Sequence, residues 1–232
     1  MTRMYHKNII NLIGLVNPTG RYKWQMLKKQ PSQEFSKSHK KVMTIATTAA
    51  KLFSAKGYIE TSMEDIAAAA KISKGGMYHY FSGKCDILNY ILSTFMDFVL
   101  ENVEQDVRQI ADPAEKVRLL ILRHVKTYSE HMYLAKALLH EAHNLPSAKL
   151  KKIKSKEKNY FAAIADVVSS YLGNRVDKDM LMVLTFNLLG MCNWIYSWYN
   201  PKGSIGPEEL SQIIFDMFTK GLSTFWKEPQ EQ

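Results

Sequence analysis

The sequence of 232 residues predicts an all-α fold of about nine helices. Apolar residues recur at intervals of three, four and seven along most of the chain, which is the period of one helix face. Residues that start or end helices separate these stretches, as at Asp112-Pro113 and at Gly57. No alternating apolar and polar run competes as a strand, so the fold class is all-α.

The predicted helices follow one another with short breaks. They cover residues 38–56, 63–71, 74–80, 84–110, a segment from 113, 132–144, 147–172, 177–199 and a segment from 207. The helix over 84–110 connects the first three helices to the rest, so we expect it to act as a lever. Residues 1–36 form a basic extension with no sustained period, and its role is open: a flexible arm, an extension upstream of the true start, or an arm that contacts DNA phosphates.

Residues 61–84, TSMEDIAAAAKISKGGMYHYFSGK, are typical of a helix-turn-helix unit. Ser62 is a good N-cap for an alanine-rich helix, and Asp65 can reach back to it. After a three-residue turn, Ser73 can cap a second helix. Gly75 and Gly76 cost about 1 kcal/mol each in helix propensity, which suggests that this turn lies close to another surface. A DNA groove suits the neighbouring basic and aromatic side chains; the alternative is an ordinary hairpin in a helical core.

A small core is expected around this unit. Ile66, Ala69 and Ala70 fall at helical spacing on one narrow face of the first short helix, where alanines allow close approach. Ile59 and Phe81 are expected to be buried beside the helix over 38–56. Ile72, in the turn, is also predicted to hold the unit together.

The positive charge is concentrated in the N-terminal third. Of 31 Lys and Arg and 22 Asp and Glu, residues 1–84 carry 14 basic and 4 acidic residues, and the remainder carries 17 and 18. A basic region that coincides with a helix-turn-helix candidate indicates a polyanionic partner, for which duplex DNA is the first choice. A solvated basic face is the alternative for the first 40 residues.

Several other classes of protein fit poorly. Cys85 and Cys192 are far apart and outside any metal-ligand spacing, which predicts neither a disulfide framework nor a zinc site and fits the cytoplasm. The apolar stretch over residues 9–16 is short and lacks a cleavage site, so we expect no signal peptide. Residues 180–199 contain no charged side chain, but Asn187 and Asn193 interrupt them, so an interface helix is expected rather than a membrane span. No cofactor is expected.

The chain resembles the TetR family of bacterial transcriptional regulators. The resemblance is strongest over residues 40–88, which include AAKLFSAKGYIETSMEDIAAAAKISKGGMYHYFSGKCDIL. It implies a DNA-binding domain over 37–84, a ligand-binding and dimerisation domain over 85–232, and a homodimer formed through the last two long helices on a palindromic operator. The segment NWIYSWYNPKGSIGPEEL also resembles the acyl-CoA-responsive branch of the family, which regulates fatty-acid and sterol degradation.

The resemblance also implies roles for residues of the helix-turn-helix. The first short helix would approach a phosphate, Lys74 and Gly75 would enter the major groove, and two aromatic side chains would contact phosphate or a thymine methyl. The expected DNA-binding residues are Thr61, Ser62, Lys74, Gly75, Tyr78, His79 and Lys84. Tyr80 and Phe81 are expected to be core residues, and a packing role for Tyr78 is the alternative.

In the C-terminal half, large apolar and aromatic side chains with a few amides suit an acyl chain or another flat apolar effector. The expected ligand-binding residues are Tyr128, Phe161, Phe186, Asn187, Met191, Trp194 and Trp198. The same residues could instead form the dimer core. The basic run from residue 149 to 158 could meet the phosphates of coenzyme A or be a solvated helix face.

Three alternative functions remain open at this point. One is a TetR-type regulator of drug efflux or stress genes with a different apolar effector. Another is a DNA-binding scaffold without a preferred site. The third is a metal-dependent enzyme built on His140 and His143, three residues apart, although the glutamate placement of HExxH sites is missing. We therefore expect a regulator without catalytic or metal-binding residues.

Overall fold

The computed structural model describes the backbone of residues 33–225 and the side chains of residues 38–173 and 175–222. The chain divides into two compact units, residues 1–43 and 44–232, and the packing below is that of the second unit. Residues 1–32 of the expected basic extension lie outside the described part. Within 33–225 all regular structure is helical, which confirms the predicted all-α fold.

The described residues form eleven α-helices and two short 3₁₀ turns. In chain order the helices are α1 Gln33–Lys56, α2 Met63–Ala69, α3 Lys74–Tyr80, α4 Lys84–Leu100, α5 Val103–Arg108, α6 Pro113–Glu130, α7 Met132–Glu141, α8 Ser147–Leu172, α9 Lys178–Asn193, α10 Ile195–Trp198 and α11 Pro207–Phe225. The 3₁₀ turns are Ala142–Asn144 and Gly173–Arg175.

The count exceeds nine because two predicted helices are interrupted. The helix expected over 84–110 breaks at Asn102, which has a φ of 55° in the left-handed region that asparagine tolerates better than most residues. The helix expected over 177–199 divides at Trp194 into α9 and α10. The first helix begins at Gln33, before the predicted residue 38.

Helix α6 lies at the centre of the C-terminal half. It packs against α4, α5, α7, α8, α9, α10 and α11. Asp112 caps its first turn by accepting a hydrogen bond from the Ala114 amide at 2.9 Å, as the Asp-Pro pair predicted. Val117, Leu120 and Val125 on α6 are at most 2% exposed. An ion pair of 2.5 Å between the half-buried Arg123 and the buried Asp106 fixes α5 to this helix.

Two expected core positions near the helix-turn-helix are wrong. Ile59 is 70% exposed, and the preceding Tyr58 is buried instead, with its ring edge-on to Phe53 at a centroid distance of 5.1 Å. In α2 the buried face consists of Ile66, Ala67 and Ala70, and Ala69 is exposed. The contact face of this short helix is rotated toward Ala67.

Candidate DNA-binding surface and effector cavity

Helix α2 starts with a complete capping box. The Ser62 side chain accepts a hydrogen bond from the Asp65 amide at 3.0 Å, and the Asp65 carboxylate accepts one from the Ser62 amide at 2.8 Å. The Lys56 ammonium contacts the same carboxylate at 2.6 Å. These donors, Lys56 first, hold the pKa of Asp65 well below its usual range. Local residues therefore fix the orientation of α2 relative to the end of α1.

The two adjacent glycines at the start of α3 differ in their surroundings, because only Gly76 packs closely against the turn between α2 and α3. Lys71 has a φ of 54°, and the Ser73 side chain accepts a hydrogen bond from the Gly76 amide at 3.1 Å. A Cβ on Gly76 would lie 3.0 Å from the Ile72 Cγ2 atom and 3.1 Å from the Ser73 Oγ atom. A Cβ on Gly75 would meet nothing within 4 Å. A side chain at Gly76 would therefore be crowded by the turn, whereas Gly75 leaves an open backbone at the surface.

Helix α3 presents one exposed face and buries the other. Lys74, Gly75, Tyr78 and His79 are all exposed, and Tyr78 is 47% exposed, whereas Met77 is fully buried. We call these four exposed residues the reader face. Phe81, just after α3, is buried as expected. A cation, a bare backbone and two aromatic rings with polar atoms are groups that contact base edges and phosphates.

One residue of the reader face forms an ion pair within the chain. The Lys74 ammonium lies 2.6 Å from the Glu64 carboxylate of α2, and both side chains are more than half exposed. Its hydrogen bond with Lys74 lowers the pKa of Glu64. This cation is therefore already neutralised within the chain before any DNA arrives, a contact that spacing along the sequence did not indicate.

Thr61 and Lys84 make intramolecular contacts instead of presenting their polar atoms to solvent. Thr61 is 1% exposed, and its hydroxyl donates to the Gly57 carbonyl at 2.7 Å. The Lys84 ammonium donates to the carbonyl oxygens of Tyr58 at 2.7 Å and Ile59 at 3.0 Å, and lies 4.3 Å from the centre of the Tyr58 ring. The structure therefore places both residues as supports of the loop before α2, unlike the phosphate contacts expected for them. Ser62 is exposed and caps α2 as expected.

Two lysines of α8 bind the connecting helix α4. Lys149 forms an ion pair with Asp86, which also accepts a hydrogen bond from Ser82. About two turns further along the same face, Lys156 contacts Asp97 at 2.6 Å and the Ser93 hydroxyl at 2.8 Å. We call these two contacts the α4–α8 clamp. Part of the basic run over 149–158 thus holds two helices together.

A cavity of about 430 Å³ lies among α4, α6, α7, α8 and α9. Its wall is largely apolar, with one charged edge, and consists of Met96, Val99, Tyr128, Leu138, Leu139, Lys154, Glu157, Lys158, Tyr160, Phe161, Phe186, Leu189 and Asn193. Three expected ligand residues, Tyr128, Phe161 and Phe186, are on this wall. The rings of Phe161 and Phe186 pack with centroids 4.5 Å apart. The volume lies within the usual range for a small-molecule site.

The other four expected ligand residues are not on the wall of this cavity. Trp194 and Trp198 are 62% and 60% exposed, and Asn187 is exposed with its amide donating to the Val183 carbonyl at 3.0 Å. Met191 is half-buried. The break at Trp194 turns this end of the segment away from the cavity. The charged wall residues were recognisable only as part of the basic run.

A buried polar group lies behind the cavity wall. The Nδ1 atom of His124 is 2.9 Å from the Tyr160 hydroxyl, and its ring stacks on Tyr128 with centroids 4.1 Å apart. The Nε2 atom makes no hydrogen bond of regular geometry, although the Asn193 side chain lies beside it. Burial lowers the pKa of His124 to about 3, so the ring is neutral. His124 was not among the expected ligand-binding residues, because its place on the apolar face of α6 is that of an ordinary core residue.

Helices α9 and α11 carry an exposed apolar surface. On α9 it includes Met182, Val183 and Phe186, which are 47%, 51% and 59% exposed, and on α11 it includes Ile213 and Met217, at 39% and 63%. By length and composition alone, Lys178–Trp198 could cross a membrane, with a hydropathy of 1.3, but this segment is broken at Trp194. Exposed apolar residues grouped on neighbouring helices are typical of interaction surfaces.

Two family models match the chain. The model for bacterial regulatory proteins of the tetR family covers residues 45–91, and that for a tetracyclin repressor-like C-terminal domain covers residues 111–222. The first range contains the capping box, the turn and the reader face. The second contains most of the cavity wall and the whole exposed apolar surface of α9 and α11.

Individual relatives agree with these matches. A TetR-family transcriptional regulator from Bordetella parapertussis has 28% identity and a TM-score of 0.75, over 81% of this chain and 98% of that one. AibR, solved in complex with isovaleryl coenzyme A and operator DNA, has 29% identity and a TM-score of 0.66, over 76% and 97%. The repressor KstR2 of Mycobacterium tuberculosis is 25% identical over 180 residues, 75% of this chain and 89% of that protein. The chain therefore belongs to the TetR family of transcriptional regulators, which are DNA-binding proteins and not enzymes.

Proposed function

We propose that this TetR-family protein is a cytoplasmic, homodimeric repressor whose affinity for a palindromic operator is controlled by a fatty acyl-CoA. The observation that carries the effector half is the cavity: its wall joins aromatic and aliphatic side chains to the exposed cations Lys154 and Lys158 on one helix. An acyl chain and a phosphate-bearing carrier require this combination. AibR, a relative of similar fold, is known in complex with isovaleryl coenzyme A.

The reader face supplies the DNA contacts. Helix α3 enters the major groove, where Lys74 donates to a guanine edge or a phosphate and Gly75 allows close approach of the backbone. Tyr78 and His79 contact phosphate or a thymine methyl. Ser62 contacts a phosphate from the start of α2, while Thr61 and Lys84 hold the loop that positions it.

The dimer forms through α9 and α11. Both helices expose apolar side chains on the single chain, and a twofold axis would pair each surface with its own copy. Two reader faces then meet successive major grooves roughly 34 Å apart. Phe186 contributes to both the cavity wall and the exposed surface, so effector and partner subunit share one helix.

The α4–α8 clamp couples effector to DNA. Helix α8 supplies the cavity residues Lys154, Glu157, Tyr160 and Phe161 and, on another face, the two lysines that bind α4. An effector that shifts α8 therefore shifts α4 and the distance between the two reader faces. Because the effector favours one arrangement of α8, it changes operator affinity by its difference in affinity for the two arrangements.

A second candidate is control of efflux or stress genes by a flat apolar compound. The packed rings of Phe161 and Phe186 favour it, since aromatic walls also accept planar molecules. The proposals differ in what the charged edge does. An acyl-CoA needs Lys154 and Lys158, whereas a planar compound without an anionic group, such as rhodamine 6G, does not.

Selection from random duplexes followed by footprinting tests the DNA half. We expect a protected palindrome of two half-sites, and a site with one half scrambled is the control. Uniform weak protection would instead show a scaffold protein without a preferred site.

Operator binding measured with octanoyl-CoA and with rhodamine 6G tests the effector half. We expect octanoyl-CoA to release the operator and the variant Lys154→Ala/Lys158→Ala to respond less. Lys151→Ala/Lys152→Ala, two exposed lysines of the same run that do not line the cavity, is the matched control. Release by rhodamine 6G alone would replace the acyl-CoA proposal with the second candidate. Native mass spectrometry of the purified protein gives an independent check through any co-purified ligand.

A further inference from the structure

We infer that the cavity recognises an uncharged carbonyl oxygen, that of the thioester, through the Tyr160 hydroxyl and the Asn193 amide, with His124 as the positioning residue behind them. The inference rests on the proposed acyl-CoA effector and specifies how the site distinguishes a thioester from a free fatty acid. Three features of the described residues lead to it: an incomplete hydrogen-bond set, its place along α8, and the lack of a spare charge beside it.

The hydrogen-bond set has more donors than its own members can accept. A neutral histidine has one N–H and one acceptor nitrogen. If Nδ1–H donates to the Tyr160 oxygen, the Tyr160 proton has no acceptor within the set. If Tyr160 donates to Nδ1 instead, Nε2–H turns to the Asn193 side-chain oxygen and the Asn193 NH₂ group is left. In either case a donor remains for a ligand oxygen, on residues that line the cavity.

The order of residues along α8 places this donor at the acyl end of the effector. Lys154 is exposed, whereas Tyr160 is 8% exposed and lies six residues on, roughly 9 Å along the helix axis. If the coenzyme A phosphates bind Lys154 and Lys158, the thioester end of the molecule extends into the cavity, toward Tyr160. Phe161 and Phe186 then contact the chain beyond the carbonyl. A chain of eight carbons fits within the cavity of about 430 Å³ if each methylene is taken to occupy about the volume of one water molecule, roughly 30 Å³.

The charges around Tyr160 disfavour a carboxylate. His124 is neutral because burial lowers its pKa to about 3. The guanidinium of Arg123 is bound by the Asp106 carboxylate and the Glu101 carbonyl. Lys154, paired with Glu157 at 2.9 Å, and Lys158 are exposed at the outer edge of the cavity, where the carrier phosphates would bind, and Glu157 lines the cavity one turn before Tyr160. A buried anion without a cation of its own is costly, whereas a carbonyl needs only a hydrogen bond.

A ligand that lacks only the carbonyl oxygen gives the test. Titration calorimetry on the full chain compares octanoyl-CoA with S-octyl-CoA, its thioether analogue, and methyl octanoate with octanoate. We expect the wild type to prefer octanoyl-CoA over S-octyl-CoA about tenfold, the effect of one hydrogen bond to a buried donor. It should also bind the neutral ester better than the acid. Tyr160→Phe or Asn193→Leu, whichever removes the remaining donor, should weaken binding of octanoyl-CoA more than that of S-octyl-CoA and so abolish the preference.

Controls separate the recognition role from a structural one. Tyr171→Phe, on α8 but outside the cavity wall, should keep the wild-type preference. Asn193→Leu is a second variant in case Tyr160→Phe unfolds, and thermal melting checks both. The ¹³C resonance of [1-¹³C]octanoyl-CoA should move downfield on binding to the wild type and less on binding to the variant that lacks the donor, because a hydrogen bond polarises the carbonyl.

Equal binding of octanoyl-CoA and S-octyl-CoA, both releasing the operator, would overturn this inference and leave the proposed function intact. A preference retained in both Tyr160→Phe and Asn193→Leu would also overturn it. If neither thioester nor thioether binds, the acyl-CoA effector itself is refuted, and the inference fails with it.

Discussion

The substitutions Lys74→Ala and Ile66→Ala should impair DNA binding for different physical reasons. Lys74 is exposed on the reader face, so its removal leaves the core of the domain intact. Ile66 is 0% exposed on the buried side of α2. Replacing a buried isoleucine by alanine leaves a cavity and costs about 2 to 5 kcal/mol. Ile72 is only half-buried, so the same change there should cost less than at Ile66.

Ile66→Ala should lower the melting temperature, whereas Lys74→Ala should lower the operator affinity and its salt dependence. At roughly 2 to 4 °C per kcal/mol for a chain of this size, a loss of about 3 kcal/mol at Ile66 lowers the melting temperature by about 6 to 12 °C. Lys74→Ala should melt within about 2 °C of the wild type. In the dimer it removes two cations from the DNA interface, so the slope of log K against log salt should decrease in magnitude by about 1.8 if both contact phosphate. Operator affinity should fall roughly tenfold or more.

Thermal melting and fluorescence anisotropy on a labelled operator duplex, repeated over a salt series, measure these quantities. Lys71→Ala, at an exposed lysine in the turn but outside the reader face, is the matched control for charge. If Lys74→Ala and Ile66→Ala lose stability equally, or if Lys74→Ala keeps the wild-type affinity and salt slope, then the assignment of the reader face is refuted.

Three further predictions concern the internal ion pair, the dimer and the buried histidine. Glu64→Gln should raise operator affinity, because DNA then no longer competes with the Glu64 carboxylate, 2.6 Å from the Lys74 ammonium. Fluorescence anisotropy measures this affinity, and an unchanged value would count against Lys74 as a DNA contact. Phe186→Glu should give monomers that bind the operator weakly, since it buries a charge in the α9 surface; native mass spectrometry would contradict this by finding intact dimers. His124 has a folded pKa of about 3 against an ordinary 6.5, so the unfolded state takes up the proton first and stability falls as pH decreases from 6.5 toward 3. Near pH 5, His124 should make the free energy of unfolding change by about 1.4 kcal/mol per pH unit. Chemical denaturation at several pH values measures this free energy, which should depend less on pH in His124→Gln than in the wild type.

The helix-turn-helix was predictable because its geometry depends on nearby residues. Ser62, Asp65 and Ser73 satisfy backbone groups within three positions of themselves, so the chain order alone indicates the caps. The same holds for Asp112 and Pro113 at the start of α6. Ile59 was predicted wrongly because burial in a loop depends on which of two adjacent side chains meets the neighbouring helix, and Tyr58 does.

The cavity was less predictable because its wall is assembled from five helices. Periodicity identifies the apolar side of α8 or α9, but it does not show which residues on that side pack against a neighbouring helix and which line the cavity. Trp194 and Trp198 have the composition of wall residues, yet the helix break at Trp194 leaves them exposed. Glu157 and Lys154 are charged, and only the packing of α8 against its neighbours places them on the wall.

The contacts of Lys84 have a consequence for how such a regulator can diverge. Its ammonium ties the first turn of α4 to the loop before α2, so a movement of α4 carries that loop and the helices attached to it as one body. Under the proposed function, an effector that moves α4 would alter where the reader face is placed and leave its shape unchanged. Substitutions that change which bases are read should therefore leave the response to effector intact, and new effectors can be acquired without changing the set of target genes.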